Sequence, residues 1–165
     1  MSVKNLDELF EHELRDTLDA ERQIVKALPK MAKAATSEEL AAAFEEHKAV
    51  SETQIERLET IFKGLGKAAR GKHCHGMEGL LKEGESLIKE EAPGPALDAA
   101  LIGAAQKVEH YEIAAYGTLA TYAKLLENDD VLALLVETLE EEKQTDETLT
   151  GLASEINLMA EQEAE

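Results

Sequence analysis

Residues 106–122 read QKVEHYEIAAYGTLATY. Glu109 and Tyr116 are seven positions apart, so two helical turns bring them onto one face with Ile102, Ala105, Ile113 and Ala120. That face is otherwise apolar and is expected to point into a core. A carboxylate there has to be neutralised, hydrogen-bonded or bound to a metal. Three other segments carry a candidate partner on their own apolar stripes. Acidic groups converging inside a helix bundle point to a metal site, and several carboxylates with a histidine point to iron or manganese.

Working outward, the chain length of 165 residues fits one domain, 1–165, with a sizeable core. Ala, Leu, Glu and Lys dominate, and all four are helix formers. With no Trp, only 4% aromatics and no β-branched runs, little or no sheet is expected. The fold class predicted is all-α.

Four long stripes stand out. The first covers about 3–34, with Leu6, Leu9, Phe10, Leu14, Leu18, Glu21, Ile24, Leu28 and Met31 at spacings of three and four. Pro29 removes a backbone donor and is expected to kink its last turns. The second covers about 37–64, with Leu40, Phe44, His47, Ser51, Gln54, Leu58, Ile61 and Phe62 on its stripe. Thr36 with Glu39 reads as its capping box, and Gly64 and Gly66 end it. The third covers about 95–126 and opens on Pro95, which suits a first turn. The fourth covers about 129–161, with Asn128 or Asp129 as cap and Leu135, Leu139, Glu142, Asp146, Leu149 and Ile156 inward.

The links between the first two and the last two helices are short, so each pair is expected to be an antiparallel hairpin. The link 65–94 is long enough to return along the bundle and carries a short amphipathic helix, about 77–90. Two hairpins with one long crossover make a ferritin-like four-helix bundle with a fifth short helix.

In such hairpins Glu21 comes roughly level with His47, and Glu109 with Glu142 and Asp146. The candidate metal ligands are therefore Glu21, His47, Glu109, Glu112, Glu142 and Asp146. The bland alternatives are a snorkelling carboxylate, a core histidine hydrogen-bonded to a carboxylate, and, for Glu112 and Asp146, a surface charge or an acceptor that orients a ligand. Gln54 and Tyr116 read as groups that orient ligands. Glu140 and Glu141 read as solvated. The His73-Cys74-His75 run can present ligands to a soft metal, although an incidental cysteine is the commoner case.

Net charge is −18, which repels nucleic acid and anionic membranes and excludes both as direct partners. The acidity reads as a solvated helical surface, as adaptation to high salt, or as a means of drawing metal cations inward. One cysteine, Cys74, allows no internal disulfide. The start, MSVKNLDELFEHEL, has no apolar signal core, and no run approaches a membrane span of about 18 apolar residues, so a cytoplasmic location is expected.

The stretches AAQKVEHYEIAAYGTLATYA, TLEEEKQTDETLTGLA, FEEH…TQIERLE and MEGLLKEG resemble the YciE/YciF-type family of bacterial stress proteins, a ferritin-like domain of unknown function numbered 892. The resemblance covers nearly the whole chain. It implies a five-helix ferritin-like fold related to rubrerythrins, a homodimer and an association with stress, and it supplies no reaction. The wider ferritin-like pattern sets a Glu on one helix of each hairpin and Glu-x-x-His on the other. Glu21 and Glu109 match the first element. His47 is preceded three residues earlier by Phe44 rather than Glu, and Glu142 is followed three residues later by Thr145 rather than His, with Asp146 one further on. Glu112 can supply the missing carboxylate.

A site with two metal ions, iron first and manganese second, acting in iron or peroxide oxidation is the leading expectation. Without a Cys-x-x-Cys electron-transfer element, its reductant comes from an external donor. The rival readings are a structural network, in which Arg57 and Lys143 reach the inner carboxylates, and an acidic metal-buffering or partner-binding module.

Overall fold

The structure is a computed structural model and describes residues 3–162. It contains five helices and, among the described residues, no strand: α1 Leu6–Ala34, α2 Glu38–Gly64, α3 His75–Glu90, α4 Pro95–Leu125 and α5 Asp129–Gln162. Helix α1 packs along α2 and α4 along α5, and α3 lies against α1 and α4. Contacts of α1 with α4 and of α2 with α5 join the hairpins. This is the ferritin-like bundle with a helical crossover.

Local chemistry fixes the ends. The side chain of Ser37, rather than Thr36, caps α2 by accepting from the Leu40 amide. The capping box at Thr36 does not form, because the buried carboxylate of Asp98 takes the amides of Thr36 and Ser37 at 2.7 and 2.8 Å. A residue of α4 thus holds the turn between α1 and α2. Helix α1 runs through Pro29 to Ala34, with the proline exposed so that water can satisfy the carbonyl it leaves unbonded.

Helices α2 and α4 end alike. Gly66 (φ 67°) closes α2 with its amide on the Lys63 carbonyl and the Lys67 amide on Phe62, while Glu127 (φ 54°) does the same for α4 through Lys124 and Ala123. Asn128 then caps α5 by accepting from Val131.

Two apolar clusters fill the bundle. One gathers Ile24, Leu28, Leu40, Phe44, Met77, Leu101, Ile102 and Leu149 with their neighbours. The other gathers Phe10, Leu14, Leu18, Leu58, Phe62, Leu119, Val131 and Leu135. Along every long helix the stripe passes from one cluster to the other through polar residues: Glu21 on α1, His47, Ser51 and Gln54 on α2, Glu109 and Glu112 on α4, and Glu142 on α5. No described helix is long and apolar enough to cross a membrane.

Candidate metal centre

The polar residues form a waist between the apolar clusters. Glu21, Gln54 and Glu142 have no exposed surface, Glu109 and Glu112 are 1% exposed and His47 5%. Ligand atoms of His47, Glu109, Glu112 and Glu142 lie within 4.8 Å of one another, a spacing at which a metal ion can be held. Contacts join the two hairpins as well as the helices within the second, where Glu142 on α5 meets Glu109 and Glu112 on α4. His47 Nε2 lies 3.2 Å from Glu109 Oε1, out of line for a hydrogen bond, and the Tyr116 hydroxyl on α4 donates to Glu21 Oε1 on α1. Gln54 Nε2 donates to Glu142 Oε1 and, at 3.1 Å, to Glu141 Oε2.

Asp146 stands apart from this group. Four residues beyond Glu142 it has rotated towards α4, where its carboxylate accepts from Gln106 Nε2 at 3.1 Å and lies 3.5 Å from His110 Nε2. Thr145, where the wider pattern has a histidine, instead brings its Oγ1 to 3.5 Å from His47 Nδ1. Ser51 lies on the same stripe as His47 and Gln54 and was given no part by its sequence; its buried hydroxyl faces the waist unpaired.

Burial, and then the charge of Glu142, raise the Glu21 pKa to about 8, and the Tyr116 hydroxyl offsets only part of this. The same two causes hold Glu109 well above the carboxylate range. Burial followed by the charges of Glu21 and Glu142 does so for Glu112. Glu142 is also raised by burial, against the hydrogen bonds it receives. Burial lowers His47 to about 4. The waist therefore disfavours every charge it contains when nothing positive is present.

No lysine or arginine among the described residues supplies that charge. Arg57 spends its guanidinium on Glu141, Glu137 and Thr138 at the rim, and Lys143 pairs with Glu140 on the surface. Glu141 is accordingly not a freely solvated group: burial pushes its pKa up, but Arg57 outweighs this and holds it low. Among the described residues, eight buried side-chain atoms have no hydrogen-bond partner, and all belong to the waist: Glu21 Oε2, His47 Nε2, Ser51 Oγ, Gln54 Oε1, Glu109 Oε2, both Glu112 oxygens and Glu142 Oε2. Buried polar atoms are normally paired, so this concentration marks a place built for something else to satisfy them. Oxygen donors with one imidazole fit a hard, borderline divalent ion such as iron or manganese.

The waist has an entrance. A cavity of about 240 Å³ between α2 and α5, lined by Phe44, Val50, Ala105, Thr145 and Leu149, reaches His47 and Glu109. Its walls are mainly apolar.

The chain is similar over most of its length to proteins already known. Protein YciF of Escherichia coli strain K12 is 46% identical over 167 residues, covering 99% of this chain and all of that protein. The crystal structure of the E. coli stress protein YciF superposes with a TM-score of 0.90 at 44% identity, over 93% of this chain and 98% of the other. YcfI of Rhodopseudomonas palustris gives a TM-score of 0.88 at 42% identity, over 90% and 95%. A protein from Xanthomonas campestris shares the fold at 20% identity and a TM-score of 0.79. The family model described as a domain of unknown function, DUF892, matches residues 5–162, and the chain belongs to that family.

Proposed function

We propose that the waist binds a pair of metal ions, iron in the first instance, and that the protein acts in iron or peroxide oxidation under stress. The observation that carries this reading is the set of eight unpartnered polar atoms, four carboxylates and one imidazole among their owners, with no cationic side chain reaching them. Glu109, Glu112, Glu142 and His47 would be ligands, with Glu21 completing the carboxylate set. A bound metal pair would supply positive charge, Lewis acidity and one-electron chemistry in a site largely shielded from water.

The chain's own groups do the rest. Gln54 fixes the orientation of Glu142 and occupies the oxygen it does not need for binding. Tyr116 does the same for Glu21 and is the nearest phenolic proton to the site. Burial keeps His47 neutral, so its Nε2 lone pair stands available beside Glu109. The apolar entrance favours small, uncharged oxidants such as dioxygen or hydrogen peroxide over charged metabolites. Stress association is carried over from the relative described as a stress protein.

Elemental mass spectrometry on protein grown with iron and purified without chelator tests the reading, followed by anaerobic Fe(II) titration. Close to two metal ions per chain, lost in Glu109→Gln or His47→Ala, is the expected result. Metal-free protein that refuses Fe(II) would leave the waist as a hydrogen-bonded structural network, for which the Gln54–Glu142 and Tyr116–Glu21 bonds are the specific support.

A further inference from the structure

Outside the bundle interior, one other group of ligand atoms converges among the described residues. His73, His75 and Glu78 lie where the loop after α2 turns into α3, and their donor atoms fall within 4.8 Å of one another. We propose that they form a second metal site, on the surface, for a single divalent cation of the zinc class.

The geometry has three parts. Glu78 Oε2 lies between the two rings, 3.0 Å from His73 Nε2 and 3.6 Å from His75 Nδ1. Bonds of about 2.0–2.2 Å from imidazole and carboxylate place donor atoms about 3.3–3.6 Å apart across a tetrahedron, so small side-chain adjustments bring all three onto one ion. The other oxygen of Glu78 is held by Lys82 at 2.7 Å, which turns Oε2 towards the histidines. The rings meet edge to face, with centroids 4.6 Å apart, so neither blocks the other.

A supporting carboxylate is also in place. Asp19 Oδ2 on α1 lies 3.5 Å from His73 Nδ1, on the side of the ring away from Glu78. Once an ion replaces the proton on Nε2, the Asp19 carboxylate would accept the Nδ1 proton in a hydrogen bond, the arrangement common behind metal-bound histidine. Asp19 is itself fixed, because the same oxygen accepts from Gln23 Nε2 at 2.6 Å and from the Cys74 amide at 2.8 Å. The backbone between the two histidines is therefore anchored to α1. Gly76 next to it has no room for a side chain, since a Cβ would come within 2.8 Å of the Tyr111 ring.

His73 Nε2 and Glu78 Oε2 share a hydrogen bond at 3.0 Å in the metal-free protein, and a cation shared with His75 would take the place of its proton. Two imidazoles and one carboxylate, with an open fourth position facing solvent, match the donor set of a four-coordinate zinc site. The thiol of Cys74 is turned away, capping α3 and facing Tyr111, and is not a ligand.

The test is zinc binding to metal-free full-length protein, by competition against a chromophoric chelator. His75→Ala is the first variant, because that side chain is 85% exposed and its removal leaves the fold untouched. The expected result is loss of one zinc per chain, or a weakening of about tenfold or more, in both His75→Ala and His73→Ala. The same zinc is retained in Glu109→Gln, which separates it from the bundle interior. Wild-type zinc stoichiometry with a smaller change in affinity in either histidine variant, or loss of this zinc in Glu109→Gln, would overturn the proposal.

Discussion

The waist and the apolar ends of the same bundle are built on opposite terms. At the ends Leu14, Leu18, Leu40 and Leu101 have no exposed surface and are surrounded by other apolar side chains. Each contributes about 1.5–3 kcal/mol by leaving water. In the waist, side chains just as deeply buried are four carboxylates and a histidine, with more than half of their polar atoms unpaired. Apolar residues of similar volume there would stabilise the bundle further. A sequence selected for stability alone has no reason to keep them, and this contrast is what favours the metal-binding role proposed for the waist over a purely structural one.

The largest effect belongs to the ends. Leu14→Ala is expected to cost about 3–5 kcal/mol in urea unfolding, because close packing on all sides limits collapse into the cavity. Next comes the pH dependence of the metal-free protein. Glu21 has a folded pKa near 8 against 4.5 for an ordinary glutamate, so between these the folded state binds the extra proton and stability falls as pH rises. His47 works oppositely: folded near 4 against 6.5, it adds stability as pH rises across that window and nothing above it. The net fall should be clearest from pH 6.5 to 8, at about 1.4 kcal/mol per pH unit for each proton released. Urea midpoints across this range check it. A flat profile would mean that the waist is electrostatically no different from the ends.

Much of this contrast was legible in the sequence, because a carboxylate on a three-and-four stripe is visible without coordinates. Glu21, His47, Glu109, Glu112 and Glu142 come together from four separate stripes, and the five helices follow from stripe, cap and link length. What periodicity could not resolve is rotation within a stripe and partnership across the bundle. Asp146 shares the stripe of Glu142 yet turns to Gln106 and His110, and Arg57, expected near the inner carboxylates, stops at Glu141. Asp98 gave no signal at all, since its partners are backbone amides sixty residues away, which no side-chain pattern records.

A smaller effect, and one of opposite sign to the leucine, comes from Glu109→Gln. Without metal it removes a buried acid that burial and Glu142 hold well above its usual pKa, while keeping the side chain's shape. Stability at pH 8 should rise by about 1–3 kcal/mol. Metal uptake should fall in the same variant. A large loss of stability instead would turn the waist into a structural network of the kind the ends do not need.

The smallest effect sits on the border. The Tyr116 ring packs in the same apolar cluster as Leu14, while its hydroxyl belongs to the waist through Glu21. Tyr116→Phe therefore leaves the packing in place and removes one donor. Were that hydroxyl only a packing atom, the change would be close to neutral at every pH. Because it serves a carboxylate whose other oxygen already lacks a partner, the cost should be about 1 kcal/mol at pH 6, where Glu21 is protonated, and nearer 2 kcal/mol above pH 8, where it is ionised. Hydrogen bonds to a charged group are the stronger ones, so the difference between the two pH values, rather than either cost, shows on which side of the border Tyr116 acts.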